Sequence, residues 1–182
     1  MIYEFCAENV TLLEKAMQAG ARRIELCDNL AVGGTTPSYG VTKAAVELAT
    51  NYDTTIMTMI RPRGGDFVYN DLEIAIMLED IRLTAQAGSQ GVVFGALTAD
   101  KKLDKANLEK LIAASKGMEI VFHMAFDELS DEDQLEAIDW LSQVGVTRIL
   151  TRAGVSGDSL EKRFAHYHRI LEQAKGKIEI LP

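Results

Sequence analysis

Two cysteines, Cys6 and Cys27, are the side chains whose chemistry is easiest to specify. Each lies at the end of a short apolar run that predicts a β-strand, and neighbouring parallel strands lie about 4.8 Å apart. Two thiols at matching heights on such strands could share one soft metal ion. Thiolates and thioethers select Cu(I) over harder cations, so Met57, Met59 and Met124 are candidate further donors. The spacing is not a CxxC motif, however, and free cysteine commonly packs as a small apolar residue.

A second group of polar residues suits acid–base chemistry. Glu25 lies in predicted strand two, and Arg61 ends strand three. His123 ends strand five, Asp127 follows it, and Thr151 ends strand six. The C-terminal ends of strands hold the active site in barrel enzymes. The sequence therefore predicts an anionic-ligand or catalytic pocket, with the first four as candidate catalytic residues. The alternative is a network of charges that only closes the barrel.

Two loops resemble anion-binding segments. Residues 33–38 form a Gly/Thr/Ser turn ahead of a helix, where Thr35, Thr36 and backbone N–H groups could face an anion. The segment that carries Arg61 and Arg63 combines two guanidinium forks with a flexible glycine turn, which suits a carboxylate or phosphate. The alternatives are a helix-capping loop for the first segment and a surface turn closed by its own aspartate for the second.

The elements that must position these residues alternate along the whole chain. Short apolar runs, typical of buried parallel strands, predict seven strands: Ile2–Cys6, Arg22–Cys27, Thr54–Arg61, Gly91–Phe94, Met118–His123, Arg148–Thr151 and Lys177–Ile180. Amphipathic runs between them predict six helices: Val10–Ala19, Val41–Thr50, Asp71–Ala87, Lys105–Ser115, Asp131–Val144 and Ser159–Ala174. Gly20, Gly88 and Gly145 follow three of the helices, as left-handed helix C-caps do.

This alternation predicts an α/β fold, a TIM-like (β/α) barrel in a single domain of residues 1–182. An open doubly wound sheet is the other common closure, but no GxGxxG phosphate turn occurs. A full barrel usually needs about 200 to 250 residues. We therefore expect the barrel to be incomplete at its C-terminus, ending at strand seven with its C-terminal elements missing.

Composition and charge exclude several classes of protein. The 182 residues are 47% hydrophobic and 25% charged, as in globular proteins, so a disordered chain is excluded. A net charge of −8 opposes nucleic-acid binding. No apolar stretch is long enough to span a membrane, and the N-terminus lacks the pattern of a signal peptide. We expect a cytoplasmic protein whose two cysteines remain thiols.

Together these segments resemble the CutC copper-homeostasis family over essentially the whole chain. The runs that carry the resemblance are residues 21–27, 33–38, 59–67, 93–97, 122–123 and 125–127. The resemblance implies a TIM-barrel-like fold, a cytoplasmic location, a role in copper tolerance or trafficking, and a homo-oligomer, dimeric or larger. It also implies Cu(I) binding through the residues at the matching positions, Cys6 and Cys27.

The chain departs from the family pattern in the run after strand five. Met124 stands where the family usually has arginine, which removes a cation from the mouth of the barrel. Three hypotheses follow. The first is a Cu(I)-binding homeostasis protein. The second is an enzyme that acts on a small phosphorylated or carboxylated metabolite. The third is a structural oligomer without a ligand.

Overall fold

The fold is a parallel β-sheet covered by helices, described here by a computed structural model for residues 2–154 and 159–182. The strands are β1 (Glu4–Glu8), β2 (Arg23–Cys27), β3 (Thr55–Met59), β4 (Gly91–Phe94), β5 (Glu119–Phe122), β6 (Arg148–Leu150) and β7 (Glu179–Leu181). The helices are α1 (Leu13–Gln18), α2 (Tyr39–Ala49), α3 (Asp71–Ala87), α4 (Lys105–Ala114), α5 (Asp131–Gln143) and α6 (Leu160–Ala174). Two 3₁₀ turns, Leu30–Val32 and Met124–Glu128, follow β2 and β5.

All seven strands are parallel, and each pairs with its neighbours in chain order from β1 to β7. This order is that of a barrel wall and not of a doubly wound sheet, in which the strand order reverses. The predicted fold class is thus confirmed. Within the described residues no hydrogen-bonded pair joins β1 to β7. That residues 1–182 form one barrel domain without its C-terminal elements stays a prediction.

The apolar side chains separate into an outer core and a smaller inner one. On the outer face, Ile24 and Leu26 pack with residues of α1 and α2, while β4, β5 and β6 pack against α3 to α6. The inner cluster consists of side chains that project from the opposite face of the strands: Cys27, Met57, Met59, Val93 and Val121. Alternation along each strand thus directs the sulfur atoms inward, as period two requires.

The helix ends follow the local rules that the sequence indicates. Ser38, Asn70 and Ser130 accept hydrogen bonds from backbone N–H groups in the first turns of their helices. Gly20, Gly88 and Gly145 each have positive φ, as predicted for left-handed C-caps. None of the helices in the described part of the chain has the length and apolar content needed to cross a membrane.

Candidate metal centre

The two cysteines lie on adjacent strands at different heights. Cys6 lies within β1 and is level with Glu25 of β2, whereas Cys27 at the end of β2 is level with Glu8. The expectation of matching heights is therefore wrong. The reason is that β1 runs two residues past Cys6, which places this thiol mid-strand. The offset leaves room for the carboxylate of Glu25 to lie beside both sulfur atoms.

Cys6, Glu25 and Cys27 form a compact group of possible metal ligands. One ligand atom from each residue lies within 4.8 Å of the other two. Both thiols donate hydrogen bonds to the same oxygen, Glu25 Oε1, each with a sulfur–oxygen distance of 3.6 Å. Glu25 shares the inward face of β2 with Cys27 because the two are two residues apart.

Glu25 is a buried carboxylate without a cationic partner. The residue is only 7% exposed. Burial, and then the negative charge of Glu4, raise the pKa of Glu25, while the hydrogen bonds from the two thiols oppose that rise. No side-chain cation of residues 2–154 and 159–182 pairs with it, although a buried carboxylate normally has such a partner. The group therefore lacks an internal counter-charge, which a bound proton or a bound cation can supply.

The two thiols differ in access to solvent. Cys6 is exposed and Cys27 is buried. The hydrogen bond to Cys6, together with burial and the charge of Glu25, raises the pKa of the Cys27 thiol above its usual range. Without a metal ion Cys27 is thus a protonated thiol. A metal ion that binds here displaces that proton, so its affinity increases with pH.

The loop after β2 covers Cys27. A Cβ atom on Gly34, whose φ is +86°, would lie 3.0 Å from Cys27 Sγ and 3.5 Å from the methyl carbon of Met59. Only a residue without a side chain therefore allows the backbone to approach the thiol this closely. The loop shields one side of the metal-ligand group from water.

The three candidate methionine donors occupy different positions. Met57 and Met59 lie fully inside, in the inner cluster with Cys27. The sulfur of Met57 accepts a hydrogen bond from Arg148 at 3.6 Å. Met124 is partly buried and lines a cavity of about 550 Å³ together with Cys6 and Glu25. Residues of β1 and β7 line the same cavity, among them Glu4 and Leu181.

Arg61 connects two loops and uses most of its donors to do so. It is 4% exposed, and its guanidinium donates to the carbonyl oxygens of Val32 at 2.8 Å, Gly34 at 2.9 Å and Gly65 at 2.7 Å. Its Nε has no partner among the described residues. The guanidinium also lies 4.9 Å from the ring centroid of Phe67.

The other predicted anion-binding residues also have partners within the protein. Arg63 donates to Glu73 and Asp66, both of which are ion-pair partners. Thr36 accepts a hydrogen bond from the backbone N–H of Arg61, and Thr35 pairs through its backbone with Asp28. Anion binding by Arg61, Arg63, Thr35 and Thr36 stays a prediction.

His123 is a neutral, buried imidazole. Burial, followed by the positive charge of Arg61, lowers its pKa to about 3. Its Nδ1 accepts a hydrogen bond from the backbone N–H of Ala125, which places the proton on Nε2. Nε2 has no partner within residues 2–154 and 159–182. Phe67 lies 4.8 Å from the imidazole, ring centroid to ring centroid, next to Arg61.

Asp127 belongs to a separate group that joins the ends of β5 and β6. Its two oxygens accept hydrogen bonds from the Thr151 hydroxyl at 2.5 Å and from the backbone N–H of Arg152 at 3.1 Å. The Arg152 guanidinium lies 3.4 Å from the same carboxylate. The structure thus divides the four predicted catalytic residues among three groups: Glu25 with the thiols, Arg61 beside Phe67 and His123, and Asp127 with Thr151.

Two further ion-pair groups lie at the opposite end of the strands, and the sequence reasoning did not find their partners. Arg23 pairs with Glu4 at 3.0 Å. Arg148, 5% exposed, pairs with Glu119 and lies 3.7 Å from Glu179. Alternation along β2 and β6 could have indicated that both arginines face inward, but it could not name the acids.

Comparison with known proteins identifies one family. The model of the CutC family matches residues 1–182. The family protein CutC of Enterococcus faecalis is 52% identical over 182 residues, which cover 100% of this chain and 87% of that protein. The human copper homeostasis protein cutC homolog is 41% identical over 181 residues, covering 100% of this chain and 64% of that protein.

Solved structures agree with this assignment. The crystal structure of a CutC protein from Streptococcus agalactiae superimposes with a TM-score of 0.94 at 46% identity, over 99% of this chain and 86% of that one. QR15, an aldolase, superimposes with a TM-score of 0.68 at 16% identity, over 98% of this chain and 77% of that one. The likeness to the aldolase concerns the fold alone.

Proposed function

Since this chain belongs to the CutC family, whose human member is named a copper homeostasis protein homolog, we propose that it handles copper by binding Cu(I) through Cys6 and Cys27. The observation that carries the proposal is the buried carboxylate of Glu25, which accepts hydrogen bonds from both thiols and has no cationic partner in the described part of the chain. A Cu(I) ion between the two sulfur atoms would take the place of the protons that both thiols donate to this carboxylate.

The ligand types support Cu(I) over harder cations. Sulfur donors favour soft ions, whereas Mg²⁺ and Ca²⁺ prefer several oxygen ligands. The group has two sulfur atoms and one carboxylate, and further sulfur atoms from Met57 and Met59 lie in the cluster around Cys27. Because Cys6 is exposed and Cys27 is buried, the ion would reach Cys6 first and then bridge to Cys27.

Anaerobic titration with Cu(I) against a coloured chelator tests the proposal. We expect one Cu(I) per chain in the wild type and a large loss of affinity in Cys6→Ser. Cys6 is the more informative position because it is exposed, so the serine leaves the core unchanged. Cys27→Ser and the double variant should also lose binding, with circular dichroism as the control for folding. Unchanged affinity in the folded double variant would contradict the proposal.

An enzyme acting on a phosphorylated or carboxylated metabolite is the second candidate. It would use Arg61 and Arg63 to hold the anion and Glu25, His123 or Asp127 as acid–base groups. The donors of both arginines are largely occupied by carbonyl or carboxylate oxygens of the protein. The contacts therefore support copper binding better than this alternative.

The location and assembly of the protein are also part of the proposal. A reducing compartment such as the cytoplasm would keep both thiols available for a metal ion. Leu160 and Phe164 on α6 are each 66% exposed and lie four residues apart on one helix face, which supports a homo-oligomer. Sedimentation analysis of the wild type and of Phe164→Asp measures this directly. A monomeric wild type would contradict the oligomer.

A further inference from the structure

We infer that Met124 supplies a third sulfur ligand to the metal ion held by Cys6 and Cys27, an inference that rests on the proposed function. Met124 lines the cavity of about 550 Å³ that also contains Cys6 and Glu25. It begins the 3₁₀ turn directly after the end of β5 and is partly buried. Met124 and the exposed thiol of Cys6 thus line the same cavity.

The other two candidate methionines are placed less well for this role. Met57 is fully buried, and its sulfur already accepts a hydrogen bond from Arg148. Met59 is 2% exposed, and its methyl group lies against the loop at Gly34. An ion arriving through the cavity would therefore meet Met124 before it could meet either of them.

A thioether suits this site because it adds a donor without adding charge. The site already holds the carboxylate of Glu25 and two cysteines that become thiolates when a metal binds. A further anionic ligand in this partly buried place would be repelled. A methionine side chain is also flexible, so its sulfur can follow the ion from the cavity to the cysteines. Sulfur ligands alone select soft monovalent ions such as Cu(I) and Ag(I).

Nuclear magnetic resonance of the methionine methyl groups tests the inference in the full chain. The protein contains seven methionines, which can be labelled with ¹³C at the methyl carbon and titrated with Ag(I), a redox-inert soft ion, in chloride-free buffer. Met124→Leu identifies the Met124 signal. Met118→Leu, outside the cavity at the other end of β5, is the matched control that also removes one thioether.

We expect the Met124 signal to shift until one equivalent of Ag(I) is bound while the Met118 signal stays in place. Met124→Leu should weaken Ag(I) binding at least about tenfold, and Met118→Leu should leave it unchanged. Binding that depends on the cysteines but leaves the Met124 signal in place would overturn the inference and preserve the proposed function. Absence of binding to the wild type would overturn both.

Discussion

Replacing Arg61 with methionine tests whether this residue holds two loops together or binds a ligand. The guanidinium is 4% exposed and donates to three backbone carbonyls, those of Val32, Gly34 and Gly65, at 2.7 to 2.9 Å. Methionine keeps most of the apolar volume of the side chain but offers no donor. The substitution leaves three carbonyl oxygens without this partner and separates the loops after β2 and β3.

The expected loss of stability follows from these contacts. A hydrogen bond from a charged donor contributes about 1.5 to 3 kcal/mol. Removal of the buried and unpartnered Nε offsets about 1 to 3 kcal/mol of the total, and loss of the contact with Phe67 adds about 0.5 to 2 kcal/mol. The three hydrogen bonds and these two terms together give about 2 to 10 kcal/mol. We therefore expect Arg61→Met to lower the free energy of unfolding by on the order of 6 kcal/mol, which corresponds to a melting temperature lower by roughly 12 to 24 °C.

Urea unfolding followed by fluorescence or circular dichroism measures this loss. Arg63→Met is the matched control, because its side chain is 38% exposed and its ion pairs should contribute at most about 1 kcal/mol. We also expect phosphate to leave the difference between wild type and Arg61→Met unchanged. If Arg61→Met is within about 1 kcal/mol of the wild type, Arg61 does not hold the loops together and the reasoning is refuted. If phosphate stabilises the wild type alone, Arg61 binds an anion, which also refutes it.

Three more outcomes are expected. Gly34→Ala should weaken Cu(I) binding more than Gly117→Ala, although both glycines have positive φ. A Cβ atom would lie 3.0 Å from Cys27 Sγ at position 34 and would meet nothing within 4 Å at position 117. Equal affinity of the two variants in the chelator titration would contradict this. Since burial and the charge of Glu4 raise the pKa of Glu25, its contribution to stability is fully present below about 4.5, the usual value, and is lost as pH rises through the higher folded-state pKa. Glu25→Gln should therefore flatten the pH dependence of metal-free unfolding and stabilise the protein at neutral pH, and a variant that is less stable there would refute it. Because the pKa of the Cys27 thiol is raised, Cu(I) affinity should rise by about tenfold per pH unit for each proton released, and a pH-independent affinity would show that no thiol proton is displaced.

Copper binding and acid–base catalysis would use different groups of residues at this end of the barrel. Glu25 and the two thiols form one group, whereas His123 lies in a tilted contact with the ring of Phe67 and is held neutral. A neutral imidazole with a pKa of about 3 is a poor proton donor at neutral pH. The metal-ligand group, in contrast, has the exposed thiol and the adjacent cavity that an arriving ion needs.

The sequence by itself was enough to predict the strands and helices and to indicate which side chains share a strand face. Apolar runs and glycine turns predicted all seven strands and six helices, with α3 and β4 at their observed bounds. The largest shift concerned the start of α1, predicted at Val10 and observed at Leu13. Strand β1 was predicted to end at Cys6 and ends at Glu8. The two 3₁₀ turns were not predicted, because each is a short loop segment whose shape depends on its packing.

Local rules determine these features because they act over a few residues. Alternation along β2 places Glu25 and Cys27 on one face, and Cys27 belongs to the inner cluster, away from the helices. Alternation along β3 likewise places Met57 and Met59 in that cluster. A glycine after a helix likewise predicts the turn into the next strand, since the left-handed conformation is a property of that residue.

Only the tertiary structure decided which side chains meet. The pairing of β1 with β2 sets Cys6 opposite Glu25 and not opposite Cys27, and the carbonyl partners of Arg61 come from two different loops. Glu25 is 19 residues from Cys6, and Val32 is 29 residues from Arg61. The relative shift of neighbouring strands is fixed by the packing of the whole sheet against its helices. The sequence of each strand therefore determined that sulfur atoms and a carboxylate point inward, and the register determined that they form one group.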